Sequence, residues 1–154
     1  MGIIFYSDKD HFVVPGEKRF NETEIRSFCE REGLAFYDTA CEVRRLKDNA
    51  SDAFLDVVTP SDIPSLLKQI PLCDTLVTTG QKATEVIAEM FGCAVPSVGG
   101  SVWLKIPGQT LNGKDIRFWR MPSTSRAYPL PLDKKTAAYR KLFKLEPAEI
   151  LISN

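Results

Sequence analysis

Residues 116–128 read IRFWRMPSTSRAY, and the rest of the chain is interpreted outward from them. Ile116, Phe118 and the aliphatic stem of Arg120 alternate with Arg117 and Trp119. A period of two in β-branched and aromatic residues predicts a short strand. The strand runs into Met121-Pro122-Ser123-Thr124-Ser125-Arg126, a proline-led loop with three hydroxyls and an arginine. Open α/β sheets bind ligands at the carboxyl ends of their strands, and hydroxyls with arginine suit phosphate and sugar contacts. Proline and serine are also common in any connection, so the local pattern alone leaves an ordinary strand-to-helix loop equally open.

Working upstream, Thr75–Thr79 (TLVTT) is a second β-branched strand, and Gly80-Gln81-Lys82-Ala83 opens a helix that buries Val86, Ile87, Met90 and Phe91 and stops at Gly92. A strand, a glycine and a helix N-terminus make an anion site from free amides and the helix dipole. The phosphate-loop pattern G-x-x-x-x-G-K-[ST] is absent. Farther back, Asn21 caps a helix through Glu32, with Glu24 in the capping-box position and Gly33 ending it. Leu34–Tyr37 reads as a strand ending at Asp38-Thr39, where Asp38 either points into a site or caps the next turn. Thr59-Pro60-Ser61-Asp62 reads as a helix start, followed by Ile63, Leu66, Leu67 and Ile70 at helical spacing. Downstream of the second helix-closing glycine, Val102–Ile106 and Ile116–Arg120 are joined through Asn112-Gly113, a hairpin signal. A basic helix runs from Asp133 to about Leu145, with Ala137, Ala138, Tyr139 and Leu142 inward and its lysines outward. Alternating helices and strands predict a single α/β domain, a sandwich with a largely parallel sheet.

Composition sets limits. The chain has 154 residues, 44% hydrophobic and 26% charged, which fits a soluble globular domain. No apolar run approaches the roughly 20 residues of a membrane span, and the first residues carry no secretory pattern. Cys29, Cys41, Cys73 and Cys93 form no C-x-x-C pair and His11 is the only histidine, so neither zinc nor an iron–sulfur cluster is expected. Reduced thiols beside apolar residues fit a cytoplasmic protein. His11, between Asp10 and Phe12, reads as a loop hydrogen-bonding residue rather than a general base. Net charge is zero, but nine basic residues between Lys114 and Lys144 face only Asp115 and Asp133. That local excess of seven positive charges suits a polyanion-binding face.

MPSTSRA, followed by LDKKTAAYRKLF, resembles the second signature motif of the uracil-DNA glycosylase superfamily, most similar to its mismatch-specific and hypoxanthine branches. The likeness extends upstream through GLAFYDTACEVRRLKDNASD, TPSDIPSLLKQIP and LVTTGQKATEVI, and so covers most of residues 1 to 145. The resemblance implies a three-layer α/β/α sandwich and a monofunctional glycosylase without metal or cofactor. Its substrate would be DNA carrying uracil, hypoxanthine or mismatched thymine. It places Asp38 and Thr39 near a flipped base. Thr79, Gly80, Gln81, Lys82, Arg120, Pro122, Ser123, Thr124, Ser125 and Arg126 then contact DNA. Arg126 fills the vacated base position or grips a flanking phosphate. Met121 stands where the uracil enzymes carry histidine, so uracil specificity by that route is not expected.

The family's first motif, which positions the water and forms much of the base pocket, is not found in this sequence. The expected explanation is an N-terminally incomplete chain; a degenerate member that binds without cutting, or one that uses Asp38 instead, are the alternatives. Loss of a central strand predicts unpaired backbone, exposed apolar surface and self-association. A nucleotide- or sugar-phosphate-binding domain unrelated to DNA is the reading from outside nucleic acids.

Overall fold

A computed structural model describes residues 1–45, 55–105 and 115–145, with no side-chain description at Arg45 and Leu55. In chain order the elements are α1 (Gly2–Tyr6), α2 (Glu22–Glu32), β1 (Ala40–Arg45), β2 (Leu55–Pro60), α3 (Ile63–Gln69), β3 (Thr75–Thr79), α4 (Gln81–Phe91), β4 (Ser101–Leu104), β5 (Ile116–Met121) and α5 (Leu132–Leu142). The fold is mixed α/β. It divides into two compact units, Met1–Tyr37 with Leu130–Asn154, and Asp38–Pro129.

The second unit carries the sheet. β3 pairs with β5 in parallel, and β4 pairs with β5 antiparallel, giving the order β3-β5-β4. The sheet is therefore mixed rather than largely parallel. A separate antiparallel pair, β1-β2, accounts for the remaining strands. Along β5, Ile116 and Phe118 are buried on one face and meet Leu104 from β4, Ile87 and Ala88 from α4, and Ile63 and Leu67 from α3. The period of two in β5 and the helical spacing of α3 thus converge on one core. Phe118 and Leu104 are wholly buried. The Asn112-Gly113 turn lies outside the described residues, but the strands on either side of it pair antiparallel as the hairpin signal requires.

Helix ends follow local chemistry closely. Asn21 Oδ1 accepts from the Glu24 amide at 3.2 Å, and Gly33 closes α2 in the left-handed region at φ 65°. Asp62 Oδ1 accepts from the Ser65 amide at 3.0 Å and caps α3. The sequence placed Pro60 in the first turn of α3. Pro60 instead ends β2, and Pro64 occupies that turn, where its missing N–H has no partner to lose.

The strand expected at Leu34–Tyr37 is absent, and Phe36 and Tyr37 are 65% and 68% exposed. The charged segment after it, Ala40–Arg45, forms β1. A strand needs a neighbour to pair its amides and carbonyls, and β2 supplies one to residues 40–45. An apolar run without a partner gains nothing from extension.

The first unit is held by rings. Phe28 of α2 packs edge-on to Phe5 at 4.9 Å and against Phe12 at 5.1 Å, while Phe5 meets Phe143 at 5.1 Å. His11 stacks on Tyr6 at 3.6 Å, so it serves ring packing rather than loop hydrogen bonding. Arg140 ties α5 to α1 by donating to Ser7 Oγ at 2.7 Å and Ile3 O at 3.4 Å. On α5 the buried positions are Tyr139 and Lys135, four apart. Lys135 thus departs from the outward placement expected of every lysine; a lysine's long aliphatic stem makes such burial possible. Ala137 is exposed.

Burial pushes the Tyr139 phenol up to about 12 from its ordinary value of 10.0. Folding therefore favours the neutral phenol. This contribution is complete below about pH 10 and is lost as pH rises toward about 12. Urea midpoints followed across that window should fall, and Tyr139→Phe should flatten the decline. In the second unit, Phe118→Ala should destabilise by about 3–5 kcal/mol, read from urea denaturation.

Candidate functional site

Parallel pairing brings the carboxyl ends of β3 and β5 together, with Thr79 in register with Met121. Just beyond, the Gly80 amide donates to Met121 O at 3.2 Å. The loop after β5 and the turn before α4 therefore leave the sheet side by side.

Gly80 is the hinge of this arrangement. Its φ of 100° with ψ of 173° is backbone that side-chain-bearing residues avoid. A Cβ built there would lie 3.6 Å from Ser123 Cβ and 3.8 Å from Ser123 Oγ, so the two loops are in van der Waals reach. As N-cap, Gly80 has no side chain to cover the first amides of the 11-residue α4. The end of that helix keeps its partial positive charge and unused donors beside Ser123.

A buried hydroxyl pair fixes the hinge from below. Thr84 Oγ1 donates to Gly80 O at 2.6 Å, and its oxygen lies 2.9 Å from Thr78 Oγ1. Thr78 in turn donates to Trp119 O at 3.3 Å, which links β3, α4 and β5. Sequence reasoning passed over Thr78 and Thr84. The available signal was a threonine four residues after the helix-opening glycine, able to bond back to its carbonyl.

The loop itself is stiffened from within. Ser123 Oγ accepts from the Ser125 amide and Ser125 Oγ accepts from the Ala127 amide, both at 3.2 Å. Pro122 is buried, Ser123 half-buried, and Thr124, Ser125 and Arg126 are exposed. Among the expected DNA-contacting residues, Thr79, Gly80 and Ser123 are drawn into one place, with Lys82 and the exposed loop tip beside them in sequence. Gln81 is exposed, and its Nε2 donates to Glu85 Oε1 at 2.7 Å within its own helix.

Arg120 has a different setting. In register with Thr78, it sits on the sheet face that α4 covers. Its Nη1 donates to Pro96 O at 3.3 Å, and its Nε is buried without a hydrogen-bond partner among the described residues. Its backbone is clamped by the 96–100 turn, with Gly99 N donating to Arg120 O at 2.7 Å and Arg120 N donating to Gly100 O at 3.1 Å. Gly100 has no room for a side chain, since a Cβ there would meet Ser97 Oγ at 2.6 Å. The turn braces the strand end from the side opposite β3.

Asp38 and Thr39 lie at the start of β1 rather than at the end of a strand. Asp38 is exposed, and the Thr39 carbonyl accepts from the Ser61 amide at 3.1 Å. No hydrogen bond among the described residues joins either to the Gly80–Ser123 edge. The basic stretch from Lys114 to Lys144 is divided between the two units: Arg117, Arg120 and Arg126 belong to the second and the α5 residues to the first. Lys114 lies outside the described residues. Burial pushes the thiols of Cys73 and Cys93 up, which keeps them protonated and poor nucleophiles. Among the described residues no cluster of His, Cys, Asp and Glu could hold a metal ion, and no helix is long and apolar enough to cross a membrane.

Comparison with protein-family models, with curated proteins and with solved structures gives no match to this chain.

Placing a side chain on Gly80 tests the hinge. Gly80→Ala should destabilise by about 1–3 kcal/mol through backbone strain, since its Cβ meets only ordinary contacts. Thr84→Val should lose about 1–3 kcal/mol by breaking the bonds to Gly80 O and Thr78. Denaturant midpoints of the two variants measure both.

Proposed function

We propose that this chain is a DNA-binding protein of the base-excision glycosylase type. In this reading the carboxyl edge of β3 and β5 grips the phosphodiester backbone beside a flipped nucleotide. The supporting observation is the approach of Gly80 to Ser123. It joins an uncapped helix N-terminus to a serine-rich loop that ends in an exposed arginine. Unused amides, hydroxyls and a guanidinium are the groups that bind phosphate without reading sequence. The likeness of MPSTSRA to the second motif of the uracil-DNA glycosylase superfamily supports the same edge. The reading also takes the helix-covered mixed sheet as part of that family's three-layer α/β/α sandwich.

In this reading the residues divide the labour. The α4 amides and Ser123 hold one phosphate, and Thr124 and Ser125 supply adjacent hydroxyls. Arg126, at the exposed tip, enters the space left by the base or neutralises a flanking phosphate. Base removal requires a water placed against the sugar carbon as the glycosidic bond breaks. Asp38 and Thr39 are this chain's candidates for that task. Extrusion of the base itself requires a few kcal/mol of unstacking.

A second reading is a relative that binds DNA without cutting it. It is favoured by the exposed position of Asp38, whose carboxylate has no hydrogen-bond partner to orient it among the described residues.

Labelled duplexes carrying one uracil, one hypoxanthine or one G·T mismatch, followed by alkali, separate the two. Scission that Asp38→Ala abolishes and Ser123→Ala reduces supports the glycosylase. Binding without scission supports the second reading, and absence of both rejects the DNA assignment. In either DNA reading Arg126→Ala should weaken binding evenly across sequences and lower the slope of log K against log salt by about 1.

A further inference from the structure

The sheet face opposite the core carries a second set of groups. Antiparallel register places Trp103 opposite Arg117 and Ser101 opposite Trp119. These four side chains lie on the other side of the sheet from buried Ile116, Phe118 and Leu104. The Arg117 guanidinium carbon sits 4.6 Å from the centre of the Trp103 ring and 5.8 Å from that of Trp119. Arg117 Nε donates to Ser101 Oγ at 2.7 Å, which fixes the plane of the guanidinium. Its terminal nitrogens have no hydrogen-bond partner, and no carboxylate lies within ion-pair distance of it, among the described residues. Trp103 is 57% exposed.

A guanidinium close to two indoles presents cation and aromatic rings together, with Trp103 exposed, Arg117 and Trp119 half-buried, and no carboxylate paired to the cation among the described residues. Water solvates it at the expense of exposed indole, and a charge-bearing protein segment would satisfy the cation but waste the rings. An occupant that uses both must be planar, able to stack, and anionic. A nucleotide has that chemistry: every base has a π-face for the rings, and its phosphate answers the guanidinium. The location agrees. Along β5 this face carries Arg117, Trp119 and then buried Met121, and along β3 Val77 and Thr79, so the exposed rings lie on the same face as the strand ends where Gly80 meets Ser123.

We propose that the exposed face formed by Trp103, Arg117 and Trp119 is a stacking platform for an unpaired nucleotide of a strand held at the Ser123 edge. The proposal rests on the DNA-binding reading above and adds the substrate class: DNA with single-stranded character next to the gripped phosphate. Stacking is tolerant of sequence, so the platform contributes affinity without base preference.

Trp103 and Trp119 are the only tryptophans in the chain, so intrinsic tryptophan emission reports this face alone. The full chain is titrated with an oligothymidylate, with emission and the anisotropy of a labelled copy both recorded. Quenching that saturates with binding is expected. Trp103→Ala should weaken the single strand by about five- to a hundredfold, and Trp103→Phe should restore most of the loss. Arg126→Ala should weaken binding while leaving the quench at saturation. Binding with unchanged emission, and equal affinity in Trp103→Ala, would overturn the platform and leave the duplex reading intact. Quenching by oligothymidylate in a chain that neither binds nor cuts duplexes would support the platform and reject that reading. Emission that changes with protein concentration alone would identify the face as a contact between copies and overturn the proposal. No binding of either nucleic acid overturns both.

Discussion

The parallel pairing of β3 with β5 is the constraint on which the second unit depends. Setting Thr79 level with Met121 brings two strand ends to one edge, and the Gly80 amide extends the ladder one step past the strand. The geometry of that edge follows from this step. It aims the α4 N-terminus and the 122–126 loop in the same direction, with glycine at the turn because φ there is 100°. Below the edge, Thr84 and Thr78 convert a flexible glycine turn into a fixed one through two short hydroxyl contacts. Buried hydroxyls are costly when unmatched, so a satisfied pair specifies one geometry.

The two faces of the same sheet have separate roles. One carries Ile116, Phe118 and Leu104 into a core with α3 and α4, and supplies stability. The other keeps an arginine between two tryptophans at the surface. Alternation in a strand makes such a division automatic, because consecutive side chains point to opposite faces. A strand that ends in a hydroxyl-rich loop therefore delivers three things at once: core packing, a turn of hydroxyls, and a surface of cation and aromatic rings on the other face.

Much of this was legible in local chemistry. The Asn21 cap, the Gly33 and Gly92 stops, the span of β3 and the opening of α4 at Gln81 are all short-range events between neighbouring residues. The loop 122–126 was legible as a proline-led turn rich in hydroxyls, because its residue types state their chemistry. Failures occurred where a partner far along the chain decides the outcome. Leu34–Tyr37 has the composition of a strand and no strand to pair with, while Ala40–Arg45 has a poorer composition and a partner in β2. Asp38 changed its setting with that reassignment, from the end of one strand to the approach to another. Lys135 was misplaced because residue type does not reveal whether a lysine stem lies along apolar surface.

By itself the sequence determined where α2 and α4 start and stop, that β5 has an apolar face, and which loop carries phosphate-compatible groups. These are settled by the period of two, by glycine at positive φ and by side-chain caps, all of which act within a few residues. Tertiary structure alone decided that the sheet is mixed, that Ser123 lies against Gly80, that Thr84 reaches Thr78, and that Arg117 stacks between Trp103 and Trp119. Each of the last three joins residues from different elements, and strand register sets the contacts of Ser123 and Arg117. Register is chosen by the sum of core contacts across a whole sheet, so no single stretch of sequence contains it.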